Sequence, residues 1–481
     1  MEIFTSYHFF FNGFFLFFAL MIFSSYISIG VLSTIELKFY RRRNRHFRYN
    51  DIKSFKILPT VSIIAPAFNE EKSIVENIRS LLSLEYPKTE VVIVNDGSND
   101  NTLSLIIEHY NLVKVDLAYS EKIPTSQIRG IYRSREEAYN KLTVVDKMNG
   151  GKGDALNSGL NICRNDLFLA IDVDCIIESD ALLKMVKPFL EEEGEKRVIA
   201  SGGVIRVANS CEITDGRITK VRYPKNLLAK FQVLEYFRAF TLGRMAWSKV
   251  NGLLIISGAF GLFDRRVALN AGGYDPDTVG EDLELVVRMR KYMHIVQKQK
   301  YRVAFIPDPL CWTEVPTSYK TLSRQRNRWT RGAIDTIFKH KDMFLNFRYG
   351  KIGMLSFPYW VFFEWLAPVI EVIGITYFLF MLAFNMVNFK IFFILLVFVF
   401  AFSVIFSSFA VFYETYAFNK YKGYKFLSQV FLIAIAEILL FHPLNLFFSL
   451  SGNVDYLLRK DRQKWGQMTR TGFNHYQKQK K

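Results

Sequence analysis

Apolar and polar positions alternate in two different ways along this chain. From Phe9 to Ile35 there is no Asp, Glu, Lys or Arg. A run of that length crosses ~30 Å of hydrocarbon as a helix. Lys38, Arg41, Arg42, Arg43, Arg45 and Arg48 follow at once, and positive charge beside a span marks the cytoplasmic side. A signal peptide has a shorter apolar core with its charges in front, so residues 1–36 read as an N-terminal transmembrane helix. Apolar runs return late in the chain. Val372–Phe389 and Ile391–Tyr413 are free of charge and separated only by Lys390, while Phe426–Val454 carries Glu437 and Pro443. Residues 372–454 therefore read as C-terminal transmembrane helices. Ile352–Glu371 holds Pro358, Glu364 and Pro368, and 352–371 reads as an amphipathic interfacial helix leading into a span. The 455–481 tail is strongly basic from Arg459, with Trp465 as an interface anchor. One span before the polar segment and three after it would place this tail outside, against the positive-inside rule. Either Phe426–Val454, broken at Pro443, lies re-entrant or on the surface, or Ile352–Glu371 crosses.

Between these runs, residues 51–345 change rhythm. Val61–Pro66 is a short apolar run that predicts a buried strand. Ser73–Leu84 has helical spacing with Ser73 as N-cap. Val91–Val94 is a second buried strand and ends in the turn Asn95-Asp96-Gly97-Ser98. A helix over Thr102–His109, a strand near Val113–Leu117, a polar insertion at Ser120–Lys147, a helix from Asp154 to Cys163 and a strand over Leu167–Ile171 follow. Strands alternating with helices predict a parallel α/β sheet, whose ligands bind at the carboxyl ends of the strands.

Composition sharpens this picture. Half of the 481 residues are hydrophobic and 46 are Phe, which fits a membrane protein and excludes a disordered chain. Lys and Arg exceed Asp and Glu by 62 to 45, a formal charge of +17, which calls for an anionic partner. Cys163, Cys175, Cys211 and Cys311 form no CxxC pair, and no HExxH occurs; a disulfide scaffold and a zinc hydrolase are both disfavoured.

Candidate chemistry lies at the predicted strand ends. Asp96 follows one strand and Asp172-Val173-Asp174 another. One carboxylate of that pair can address a ligand while the other holds a hard cation such as Mg²⁺ or Mn²⁺. Turns are rich in Asp, and a lone DxD means little. Gly150-Gly151-Lys152-Gly153-Asp154 opens a helix where backbone can approach phosphate; GxxxxGK[ST] is absent, which argues against an ATPase. Gly258-Ala259-Phe260-Gly261 precedes a predicted helix. Gly280-Glu281-Asp282 offers a general base at Asp282, or simply a helix N-terminal acidic pair. Gln325, Arg328 and Trp329 share one helix face at i, i+3 and i+4: Arg suits diphosphate and Trp a sugar ring, whereas the neighbouring arginines alone could be a lipid-facing stripe.

The ordered series VNDGS, GGKGDALNSGLN, DVD, GED and QRNRW resembles the membrane-bound family 2 glycosyltransferases, the group of cellulose, hyaluronan and poly-N-acetylglucosamine synthases, with the last the most similar branch. The resemblance covers nearly the whole chain. It implies an α/β GT-A (Rossmann-like) cytoplasmic domain over 51–345 with flanking transmembrane α-helices. It further implies a nucleotide-sugar donor such as UDP-GlcNAc, a saccharide or lipid acceptor, and Mg²⁺ or Mn²⁺. On that mapping Asp96 contacts the base, Lys152 and Asp172 address the nucleotide or diphosphate, and Asp174 holds the cation. Asp282 is the catalytic base, and Gln325, Arg328 and Trp329 hold the diphosphate and acceptor end. The reaction would be a single inverting displacement in a multi-pass plasma-membrane protein, coupled to polysaccharide export, with an export partner or homo-oligomer completing the channel. Two positions depart from many relatives: Asn95-Asp96 stands where two acids are common, and Gly280 where Thr is common. Rival readings are single addition of a sugar to a lipid, a membrane transporter using Glu364, Glu371 and Glu437, and a sugar-binding scaffold without catalysis. No nucleic-acid-binding motif is present.

Overall fold

The structure is a computed structural model that describes residues 2–458 except Lys56, residues 192–195, Asp215, Asn419 and Lys422. The basic tail from 459 onward, with Trp465, lies outside the described residues.

Among the described residues, twelve strands run in chain order as β1 (Val61–Ala67), β2 (Thr89–Asp96), β3 (Leu112–Val115), β4 (Ile128–Ser134), β5 (Leu142–Lys147), β6 (Leu167–Ile171), β7 (Ile176–Ile177), β8 (Arg197–Val207), β9 (Glu212–Thr214), β10 (Arg217–Lys220), β11 (Phe260–Asp264) and β12 (Tyr301–Thr313). Ten of them form one sheet in the order β3-β4-β5-β2-β1-β6-β11-β8-β12-β7, and β9–β10 is a separate hairpin. The apolar runs predicted as buried strands form its centre: Ile63, Ile64, Val92 and Ile93 are all 0% exposed. Each such side chain contributes roughly 1.5–3 kcal/mol by leaving water. The helix Ile74–Leu82 covers the sheet with Ile74, Ile78 and Leu81 at helical spacing. Ser73 occupies its N-cap position, but its hydroxyl bonds to Glu70 rather than to the helix backbone.

Two expectations need correction. The sheet is mixed: β1 is parallel to β2 and β6, and β2 to β5, but β11 runs against both β6 and β8. The chain enters β11 from the opposite end of the sheet, so no βαβ crossover joins β8 to it. The polar insertion Ser120–Lys147 contains two strands of the sheet. Its last six residues, β5, are wholly buried beside β2, and β4 shields them as a partly exposed antiparallel neighbour. Gly258–Gly261 likewise leads into a strand, β11, before the helix Arg265–Asn270.

Among the described residues, three helices are long and apolar enough to cross a bilayer: Phe10–Asn44, Phe389–Phe418 and Phe426–Leu457. Ile352–Trp365 and Ala367–Ala383 form a further bent pair, turning 45° at Leu366, so 352–371 is not one helix. The charge-free runs part at the turn 384–388, ahead of Lys390. Phe389–Phe418 runs in the same direction as the first helix: Phe23 meets Phe398 at 4.9 Å, Tyr26 meets Phe406 at 4.9 Å, and Tyr413 donates to the Ser33 carbonyl at 2.5 Å. Ala367–Ala383 runs the opposite way, with Phe15 against Gly374 and Phe11 stacked on Tyr377. Phe426–Leu457 lies against the α/β domain along its whole length. Phe426 touches Tyr223, Phe441 stacks on Phe231, and Tyr456 stacks on Phe338. Its exposed Leu432, Leu439, Phe447 and Val454 recur at about two-turn intervals along one face.

Candidate active site

The acidic turn after β2 is held from within. Asp96 accepts from Lys147 Nζ at 2.6 Å and from the backbone amides of Gly150 and Gly151 at 3.0 and 2.8 Å. Gly151 has φ +87°, a left-handed conformation that suits glycine. Asp96 therefore fixes the loop that presents Lys152, and its carboxylate is occupied by these three donors. Lys147, fully buried at the end of β5, also pairs with Asp154 at 2.5 Å.

Lys152 is the hub of the site. Its ammonium lies 2.6 Å from Asp172 and 3.2 Å from Glu281, and donates to the Gly258 carbonyl at 3.2 Å. Burial pulls Lys152 down, but Asp172, Glu281 and Asp282 outweigh it and hold the ammonium above its ordinary value. Burial raises the Glu281 carboxyl; Lys152 opposes the shift and Asp282 reinforces it. Asp282 is fixed by two amides, Gly258 N–H at 2.7 Å and Leu283 N–H at 2.8 Å. Three motifs far apart in sequence thus meet at one point through Lys152 and Gly258.

Asp174 follows β6 two residues after Asp172 and is buried. Among the described residues no group of three or more His, Cys, Asp or Glu is arranged to hold a metal ion. Two carboxylates with oxygen donors nonetheless fit Mg²⁺ or Mn²⁺, which complete their shells with water and phosphate.

The helix Tyr319–Lys339 carries the third group. Arg326 forms a forked pair with Glu235, with Nη2–Oε2 at 2.6 Å, and its guanidinium lies 4.5 Å from the centre of the Trp329 ring. Trp329 remains 42% exposed. The field of Arg328 reaches Glu281. The buried Oε1 of Gln325 meets no hydrogen-bond donor among the described residues. This helix approaches the segment just before Asp282 backbone to backbone. A Cβ at Gly280 would sit 2.8 Å from the Gly332 Cα, and one at Gly332 would sit 2.7 Å from the Gly280 Cα.

Of the predicted residues, Lys152, Asp172 and Asp282 share one cluster, with Arg328 in electrostatic range; Asp96 braces it from behind. Sequence reasoning missed Glu281 as a partner of Lys152, and missed Lys147, which the apolar run of β5 could have revealed. It also missed Arg244, whose guanidinium lies 3.9 Å from the centre of the Phe240 ring. Burial lowers Arg244 to about 10 against the field of Asp282.

A family model described as "Glycosyltransferase like family 2" matches residues 59–332. The chain is 25% identical over 312 residues to a poly-beta-1,6-N-acetyl-D-glucosamine synthase of Staphylococcus epidermidis, covering 64% of this chain and 61% of that protein. It is 25% identical over 307 residues to the enzyme of the same name from Staphylococcus aureus, covering 63% and 62%. The match thus spans about three fifths of those relatives. Among solved structures, a mannosyltransferase from Pyrobaculum calidifontis in complex with GDP-Man and Mn²⁺ aligns over 91% of this chain and 99% of its own, at 18% identity and a TM-score of 0.49. Residues 1–349 of Staphylococcus aureus TarS, in complex with UDP-GlcNAc, align over 64% and 74%, at 18% identity and a TM-score of 0.35. The family model covers more than half of this chain and every motif that converges on Lys152, and the chain belongs to that family: it is a family 2 glycosyltransferase.

Proposed function

We propose that this GT-A-type enzyme transfers a sugar with inversion from a nucleotide-sugar of the UDP-GlcNAc type to a growing saccharide at the cytoplasmic face of a membrane. The observation that carries this reading is the fixed Asp282 carboxylate, set by the Gly258 amide beside the Lys152–Asp172 pair. Asp282 takes the proton of an acceptor hydroxyl as that oxygen attacks the anomeric carbon. The bond from that carbon to the diphosphate breaks, and the nucleoside diphosphate leaves with the electron pair. Lys152 holds Asp172 toward the donor, and Arg328 offers forked donors to the leaving diphosphate. Trp329 stacks the acceptor ring, with Gln325 Oε1 accepting from a sugar hydroxyl. Asp172 and Asp174 would hold the divalent cation, whose positive charge offsets that developing on the diphosphate. Asp96 serves the base indirectly, through the loop it braces.

The helix directions support three crossings. The first helix enters the domain's side, Ala367–Ala383 leaves it and Phe389–Phe418 returns. Phe426–Leu457 lies on the surface between domain and lipid, which keeps the end of that helix on the domain's side. Three crossings leave the export path to a partner or second copy.

The test is nucleotide release by the full chain in nanodiscs, with Mg²⁺ or Mn²⁺ and a panel of UDP-, GDP- and dTDP-sugars. Release with one donor, lost in Asp174→Asn and Asp282→Asn, supports the reading; release that persists in Asp282→Asn removes the base assignment. The size of the labelled product separates a polymer from single addition to a lipid.

A further inference from the structure

The segment that joins the Tyr319–Lys339 helix to Ile352–Trp365 holds an aromatic ring in the open. Phe347 is 81% exposed, more than any other aromatic side chain among the described residues, and Leu345 is exposed close by. The turn that carries them is braced. Asn346 accepts from the Arg348 amide at 3.0 Å and donates to the Asp342 carbonyl at 2.8 Å. The Leu345 amide donates to the Gly353 carbonyl at 3.1 Å. Met343, Tyr349 and Ile352 on either side are buried. The Tyr349 hydroxyl donates to Asp342 at 2.5 Å, and Asp342 pairs with Lys291 at 2.9 Å. A fixed frame therefore holds Phe347 outward. Leaving such a ring in water forgoes roughly 1.5–3 kcal/mol, which an apolar surface outside the chain would recover.

The position of the turn says which surface. Ile352–Trp365 follows it at once and leads into Ala367–Ala383. Lys351, Leu355 and Phe362 are exposed in that order along the chain. Such a change from basic to apolar fits a helix that passes from headgroups into acyl chains. The segment is also tied to the end of the first apolar run. Ser356 lies against Gly252, where a Cβ would come within 2.5 Å of its Oγ. Lys249, just before Gly252, pairs at 3.0 Å with Glu36, the first charge after Ile35. Phe347 thus stands at the end of the domain from which both helices enter the apolar region, beside the exposed Arg348 and Lys351. Ile295 and Val296 add exposed apolar surface on the neighbouring segment, where His294 stacks on Tyr349 at 6.1 Å. A ring flanked by cations suits a phospholipid leaflet: the ring enters the upper acyl region and the cations meet phosphates.

We propose that the turn 345–348 is a membrane anchor, with Phe347 inserted in the cytoplasmic leaflet and Arg348 and Lys351 at its phosphates. The proposal rests on the crossings inferred above.

The four native cysteines are buried, so a thiol-reactive fluorophore reports on one introduced cysteine at a time in the full chain. Nanodiscs of phosphatidylcholine and phosphatidylglycerol would carry doxyl quenchers either near the headgroup or deep in the acyl chain. Leu395→Cys, within Phe389–Phe418, is the control for crossing, and Ser104→Cys, exposed on the helix Thr102–His109, is the control for water. The label at Phe347→Cys is expected to be quenched by the shallow quencher severalfold more than the label at 104, and to be shielded from aqueous iodide. A label at Leu345→Cys should be quenched too, and Phe347→Ser should cut that quenching severalfold with the melting temperature unchanged. A label at 395 that no lipid quencher reaches removes the crossings, and this proposal with them. With 395 quenched, a label at 347 that behaves like the one at 104 overturns the anchor alone. A label at 347 that is shielded from iodide yet untouched by lipid quenchers overturns it as well, and points to cover by a second copy or by the chain's own tail. Quenching at 345 that ignores Phe347→Ser also overturns it, because the turn would then lie near the leaflet without Phe347 holding it there.

Discussion

Buried charges gather in two regions of this enzyme, and they are arranged differently. Along the seam between the α/β domain and the apolar helices, Glu437 and Glu414 each have one arginine. Arg238 forks onto Glu437 at 2.8 and 2.7 Å and donates to Ser407 at 2.8 Å, while Arg206 pairs with Glu414, which also accepts from Thr241 at 3.0 Å. At the catalytic cluster one ammonium, Lys152, faces Asp172, Glu281 and Asp282. At these two points of the seam each acid keeps one arginine, while at the cluster three carboxylates share one ammonium, with Arg328 and Arg244 in electrostatic range. One-to-one pairing suits cohesion, and shared, perturbed groups suit chemistry.

The sharpest way to break this comparison is to make one change on each side. Asp282→Asn is expected to lower transfer by about 10²–10⁴-fold, with donor binding and melting temperature near wild type; a large drop in melting temperature would make Asp282 part of the cohesive set. Glu437→Gln strands the Arg238 charge and is expected to destabilise the protein by about 3–5 kcal/mol, while Arg238→Met with Glu437→Leu recovers most of it. Calorimetry in nanodiscs checks both, and no recovery in the double variant would deny that the pair is only a clasp.

Smaller effects sharpen the contrast. Gly332→Ala adds one methyl against Gly280, and a strain of about 1–3 kcal/mol is expected to push the Tyr319–Lys339 helix from the base. Transfer should fall more than donor binding, read by comparing kcat with nucleotide affinity. Trp329→Ala is expected to raise the acceptor KM about fivefold to tenfold, leaving the donor KM unchanged. The smallest effect concerns pH. The folded value of Lys152 lies above its ordinary 10.5, so its stabilisation is complete below that and is lost only as pH rises through the folded value. The melting deficit of Lys152→Gln should therefore be the same at about pH 6 and about pH 9; a deficit that fades by the higher value would refute the raised value.

Much of the centre was legible because β1, β2 and β6 are unbroken apolar runs, and their ends carry the acids. β8 escaped because Gly202 and Gly203 interrupt its pattern. Those glycines leave room for Ile256 and Phe260, since a Cβ at Gly203 would meet the Phe260 ring at 2.8 Å. β4 escaped because Arg129, Gly130 and Arg133 look like loop chemistry until a neighbouring strand pairs with them. The order of motifs foretold the cluster, but not its centre. That Lys152 would join Asp172 to Glu281 depends on the antiparallel β11 bringing Gly258 between them, a long-range fact with no local signal. The parity conflict was legible too; the reading proposed for it rests on the domain contacts of Phe426–Leu457.

The touching glycines at 280 and 332 carry a consequence for descent. Neither position can gain a side chain while the other backbone stays in place, so the two behave as one inherited trait. A relative with Thr at 280 must hold its Trp-bearing helix farther from the base, and swapping that residue alone into this chain would import half a design.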